Sequence, residues 1–97
     1  MEKLQIEQVK EELKQLEGWK VEDDRWLVKR FRFSEFLTGI DFVNQLANLS
    51  EEVNHHPFIS IEYKVITVKL TSWRAGGITE LDMNLIKQYD DIYQKFK

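Results

Sequence analysis

The chain has 97 residues, 17 acidic against 14 basic for a net charge of −3, and no cysteine. That length is enough for one small domain with one modest core. The composition excludes a disulfide framework, thiolate chemistry and cysteine zinc sites, and the acidic balance argues against attraction to nucleic acid or an anionic membrane.

The N-terminal stretch MEKLQIEQVKEEL is amphipathic and acidic, with no apolar signal core, and no apolar run reaches the length of a membrane span. A soluble cytoplasmic protein is the expectation. Ile6, Val9, Leu13 and Leu16 recur at spacings of three and four and predict a helix over about Lys3 to Glu17. Gly18 follows at the usual stop position. Trp19 to Val21 and Arg25 to Phe33 read as two strands around Glu22-Asp23-Asp24. Leu27, Lys29, Phe31 and Phe33 share one face of the second strand, and Trp26, Val28, Arg30 and Arg32 the other.

Ser34 is placed to cap a second helix ending near Val53, with Phe36, Ile40, Val43 and Ala47 as its stripe. Gly39 inside that helix costs about 1 kcal/mol relative to Ala, so it points to close packing. Asn54 suits a left-handed C-terminal position. Ile59, Ile61 and Tyr63 alternate, as do Ile66, Val68 and Leu70. The parity changes between Tyr63 and Ile66, which requires a turn or bulge there. After the loop Ala75-Gly76-Gly77, Thr79 caps a last helix carrying Leu81, Leu85, Tyr89, Ile92 and Phe96. Two strand pairs separated by a helix predict an α+β fold, with helices on one face of a four-stranded antiparallel sheet and the other face open.

Asn54-His55-His56-Pro57 holds both histidines and the only proline. Histidine exchanges protons near neutral pH, and proline keeps the preceding residue out of the helical region. Two adjacent imidazoles lack the spacing of helical metal ligands, so no metal site is expected. Surface placement is the ordinary fate of such a pair. Asp82 fits a capping box with Thr79. Glu51 lies four residues before His55, at a helix end where a negative charge is mildly unfavourable. Trp73 precedes the glycine loop and suits either packing or an aromatic wall for a flat heterocycle.

Together these residues resemble the pterin-4a-carbinolamine dehydratase family. The chain reads Glu51, three residues, His55-His56-Pro57, five residues, Tyr63, nine residues, Trp73, eight residues, Asp82. Leu16-Glu17-Gly18-Trp19, Arg30-Phe31-Arg32-Phe33 and Gly76-Gly77-Ile78-Thr79 extend the likeness over nearly the whole chain. The resemblance implies dehydration of 4a-hydroxytetrahydrobiopterin or a related pterin to the quinonoid dihydropterin, with no metal and no redox cofactor, and self-association to a dimer or tetramer. It implies that His55 is the principal acid/base group and that His56 binds and orients the pterin. Glu51 then hydrogen-bonds substrate or tunes a histidine, and Asp82 orients the site. Asn54, Thr71, Ser72, Trp73 and Arg74 line the pocket. Trp73 stands where better-known members carry a third histidine, which implies a two-histidine site. It also leaves open a non-catalytic pterin-binding or protein-interaction module resembling the family's transcriptional dimerisation cofactors.

Overall fold

The computed structural model describes residues 1–97. The elements run α1 (Ile6–Leu13), β1 (Lys20–Glu22), β2 (Trp26–Arg32), α2 (Phe36–Val53), β3 (Phe58–Glu62), β4 (Val65–Leu70) and α3 (Glu80–Gln94), with a 3₁₀ turn at Trp73–Ala75. All strand pairs are antiparallel, in the order β1-β2-β4-β3. The α+β architecture expected from the element order is present.

Burial alternates along the central strands. Leu27 and Phe31 of β2 and Ile66, Val68 and Leu70 of β4 are fully buried. They join Val9 and Leu13 of α1, Phe42 and Leu46 of α2, and Met83, Leu85, Ile86 and Tyr89 of α3 in one cluster of 16 residues. The helices therefore cover one face of the sheet. Trp26, Lys69 and Phe58 occupy the other face at paired positions, with Phe58 opposite Lys69 and Glu22 opposite Trp26.

Several element limits differ from the sequence reading. Helix α1 starts at Ile6 rather than Lys3, because Gln5 is extended and the Leu4 amide donates to the Ile78 carbonyl at 2.7 Å. It stops at Leu13 because Lys14, Gln15 and Leu16 donate three residues back, which tightens the chain before Gly18 turns at φ 88°. Ser34 caps nothing. Phe33 still donates to Lys64 across the sheet, and Glu35 is the N-terminal boundary of α2, without a side-chain cap.

The buried stripe of α2 is Gly39, Phe42, Leu46 and Ser50, one residue out of step with Phe36, Ile40, Val43 and Ala47. The helix is apolar on two adjacent rows, and the row containing glycine wins because it lets the backbone approach the sheet. A Cβ on Gly39 would lie 3.3 Å from Phe33 Cδ2 and 3.5 Å from Ile66. The expected change of parity is a two-residue turn at Tyr63-Lys64, with Tyr63 at φ 55°. Lys29 points inward from the core face of β2, as its parity requires. Its ammonium is 2.8 Å from Asp90 and 4.8 Å from the Phe31 ring, and Asp90 also accepts from the Trp19 indole.

Candidate active site

The site forms where β4 ends, β3 begins and α3 starts. Helix α2 terminates at Asn54, which takes φ 53°, ψ 45° and donates its amide to Ser50 O. That left-handed residue redirects the chain, and the His55 amide donates to the same carbonyl at 3.2 Å. Across from it, Ser72 and Gly77 pair as an isolated bridge and close the loop carrying Trp73, Arg74 and Ala75. Gly76 takes φ 75° in that loop, which an L side chain adopts only with strain.

Asp82 is fully buried in the first turn of α3. A buried carboxylate is costly unless donors surround it. Asp82 Oδ2 accepts from the Thr79 amide at 2.8 Å, the Ser72 hydroxyl at 2.7 Å and the Thr79 hydroxyl at 3.2 Å. The capping box expected between Thr79 and Asp82 is formed. These donors fix the carboxylate so that its other oxygen, Oδ1, sits 2.7 Å from His55 Nε2. A carboxylate only accepts, so Nε2 carries a proton in this pair and Nδ1 is the nitrogen free to exchange one. Ser72 Oγ lies 3.5 Å from His55 Nε2, at the edge of hydrogen-bond reach.

An open cleft of about 430 Å³ lies against this group, lined by Asn54, His55, Ser72, Trp73 and Arg74 together with Thr79 and Leu81. Five of the nine residues singled out in the sequence thus share one cavity, and Asp82 supports it from behind. The sequence pattern marks Thr79 as a cap and Leu81 as an apolar stripe position; their place at the N-terminal end of α3, beside Asp82, is the signal that brings them to the cleft. Thr71 is buried with its hydroxyl on the Arg25 carbonyl at 2.5 Å, and it lines a smaller recess beneath the loop. His56 and Glu51 pair with each other at 2.5 Å on the exposed side, outside the cleft lining. No group of three or more acidic or histidine side chains is placed to hold a metal ion. No helix is long and apolar enough to cross a membrane.

The arrangement is that of a small α+β domain presenting one carboxylate-held imidazole to a cleft with an aromatic wall. The chain belongs to the pterin 4 alpha carbinolamine dehydratase family, whose model matches residues 2–92. It is 42% identical to a provisionally named pterin-4-alpha-carbinolamine dehydratase of Aquifex aeolicus, over 96% of this chain and 93% of that one. It is 36% identical to a likewise named protein of Sulfurisphaera tokodaii, over 95% and 98%. Among solved structures it resembles a transcriptional coactivator/pterin dehydratase from Brucella melitensis, with a TM-score of 0.87, 30% identity and coverage of 94% and 98%. It also resembles a pterin dehydratase-like protein that is a RuBisCO assembly factor in the alpha-carboxysome, with a TM-score of 0.67, 27% identity and coverage of 78% and 92%.

Proposed function

We propose that this protein dehydrates a pterin-4a-carbinolamine such as 4a-hydroxytetrahydrobiopterin to the quinonoid dihydropterin. The observation that carries the reading is the buried Asp82 holding His55 at the edge of the cleft. In the reaction the C4a hydroxyl takes up a proton and leaves as water, while N5 gives up its proton and forms the C4a=N5 double bond. One proton is delivered and one removed, so the catalyst ends as it began. His55 serves as the acid/base group, exchanging a proton at Nδ1 while Asp82 holds Nε2–H and fixes the orientation of the ring. Assistance of this kind is typically worth 10²–10⁴-fold. Trp73 supplies a stacking wall, because an indole N–H is no acid or base near neutral pH. His56, paired with Glu51 at the rim, contributes to capturing and orienting substrate rather than to the proton transfers.

The test is whether catalytic amounts of the protein accelerate breakdown of freshly generated carbinolamine above its spontaneous rate, and whether His55→Ala abolishes the effect. A second reading, a pterin-responsive interaction module, draws support from Trp73 at the third histidine position and from the assembly-factor and coactivator relatives. It requires pterin to raise the melting temperature with no turnover.

A further inference from the structure

Trp73 is 60% exposed, on a single turn of 3₁₀ helix between Ser72 and a left-handed glycine. An indole so placed would ordinarily sample several rotamers. Here two rings from the open face of the sheet stand against it. Trp26, at the start of β2, meets Trp73 edge-on with centroids 5.1 Å apart and planes at 84°. Phe58, at the start of β3, lies 5.9 Å away at 43°. Trp26 and Phe58 also contact each other at 5.1 Å, so the three rings form a closed triangle. Lys69 continues the row on the far side. Its ammonium is 4.9 Å from the Trp26 ring and 2.8 Å from Glu22. The register accounts for the row, since Glu22 is opposite Trp26 and Lys69 is opposite Phe58.

Neither Trp26 nor Phe58 lines the cleft, whereas Trp73 does. We infer that Trp26 and Phe58 are positioning residues that brace the Trp73 ring as a fixed wall for a flat heterocycle, and so set substrate affinity without lining the cleft themselves. Edge-to-face contacts fix a ring's tilt as well as burying it. A braced wall spends less ordering entropy when a ligand stacks on it. This rests on the pterin reading of the cleft. Its effect falls on binding, because neither ring reaches the groups that move protons.

The test compares Trp26→Ala, Phe58→Ala and the conservative Trp26→Phe with wild type. Affinity for dihydrobiopterin, a non-reacting analogue of the substrate, is measured by calorimetry, and KM and kcat by carbinolamine dehydration. The two alanine variants should weaken binding and raise KM by about 2- to 12-fold, the range of one aromatic contact. Their kcat should stay within twofold of wild type, and Trp26→Phe should recover most of the affinity. A fluorine label on Trp73, read by NMR without ligand, should give one sharp line in wild type and a shifted or broadened line in Trp26→Ala. Unchanged affinity with an unchanged fluorine line overturns the proposal, and so does a fall in kcat at constant KM. If wild type neither binds nor converts any pterin, the functional reading fails and the brace is decided by the fluorine line alone.

Discussion

His55 Nε2 and Asp82 Oδ1 are 2.7 Å apart although 27 positions separate them in the chain, and Asp82 reaches the contact from a fully buried position. The carboxylate's second oxygen is committed to Thr79 and Ser72. Asp82→Asn keeps the shape and removes one acceptor, so either the histidine or the helix cap loses its partner. A drop in kcat of at least about 10²-fold is expected, within the range for a positioned acid/base group, with a smaller change in KM. Weakening the cap should cost about 0.5–2 kcal/mol of stability. Steady-state kinetics and a thermal melt read the two losses separately. A variant that melts early yet keeps its kcat would reduce Asp82 to a cap.

The two histidines should behave differently. The His55 side chain is 18% exposed and held by a buried acid, whereas His56 is 52% exposed and paired with a solvent-facing Glu51. His55→Ala should lower kcat by about 10²–10⁴-fold. His56→Ala should act mainly on KM, with kcat falling less than about tenfold. Exposed ion pairs contribute only about 0.2–1 kcal/mol, so Glu51→Gln should leave the melting temperature nearly unchanged. Equal losses of kcat in the two alanine variants would place His56 inside the proton-transfer step.

Much of this was legible in the sequence because it depends on local rules. The left-handed Asn54, the capping box at Thr79 and the alternation of β4 each follow from residue type and spacing within a few positions. The buried face of α2 was not legible. Two apolar rows compete there, and only contact with Phe33 and Ile66 selects the row of Gly39. The limits of α1 were also hidden, because the Leu4–Ile78 hydrogen bond joins residues 74 positions apart. The site residues stood out through a long spaced pattern, but nothing in that pattern showed that Glu51 and His56 turn to each other while His55 turns to Asp82. The brace on Trp73 depends on strand register, which a sequence shows only after the strands are paired.

Tyr89 is fully buried, and its hydroxyl makes no hydrogen bond of good geometry; Ser50 Oγ, beside it, donates to the Leu46 carbonyl. Burial raises the phenol pKa well above its ordinary value, the negative charge of Asp82 raises it further, and Ser50 offsets part of this. A group whose folded pKa is raised contributes stability that is complete below its unfolded pKa of about 10 and is lost as pH climbs towards the folded value. The protein should therefore lose stability progressively above about pH 10. Tyr89→Phe keeps the ring packed against Trp19 and removes both the alkaline loss and an unsatisfied hydroxyl, whose burial costs about 1–3 kcal/mol. Urea melts at pH 7 and above pH 10 should show the variant at least as stable as wild type at neutral pH and clearly more stable in alkali. Destabilisation at pH 7 by more than about 1 kcal/mol would mean that the hydroxyl is satisfied in solution.

Asn54 joins the end of α2 to the cleft, because its left-handed backbone turns the chain there and the residue is part of the cleft lining. A Cβ in this region costs roughly 1–2 kcal/mol for residues other than Gly, and Asn offsets part of it. Asn54→Ala should therefore lower stability by about 1 kcal/mol, while Asn54→Gly should be close to neutral. The pair also separates two ways in which Asn54 serves the site. If the residue acts through its backbone, by aiming His55 at Asp82, Asn54→Gly keeps most of the wild-type kcat/KM and Asn54→Ala loses several-fold. If the side-chain amide contacts substrate, both variants lose activity equally despite their different stabilities. The geometry favours the first outcome: the Asn54 and His55 amides both donate to the Ser50 carbonyl, and that arrangement requires the left-handed residue rather than its amide.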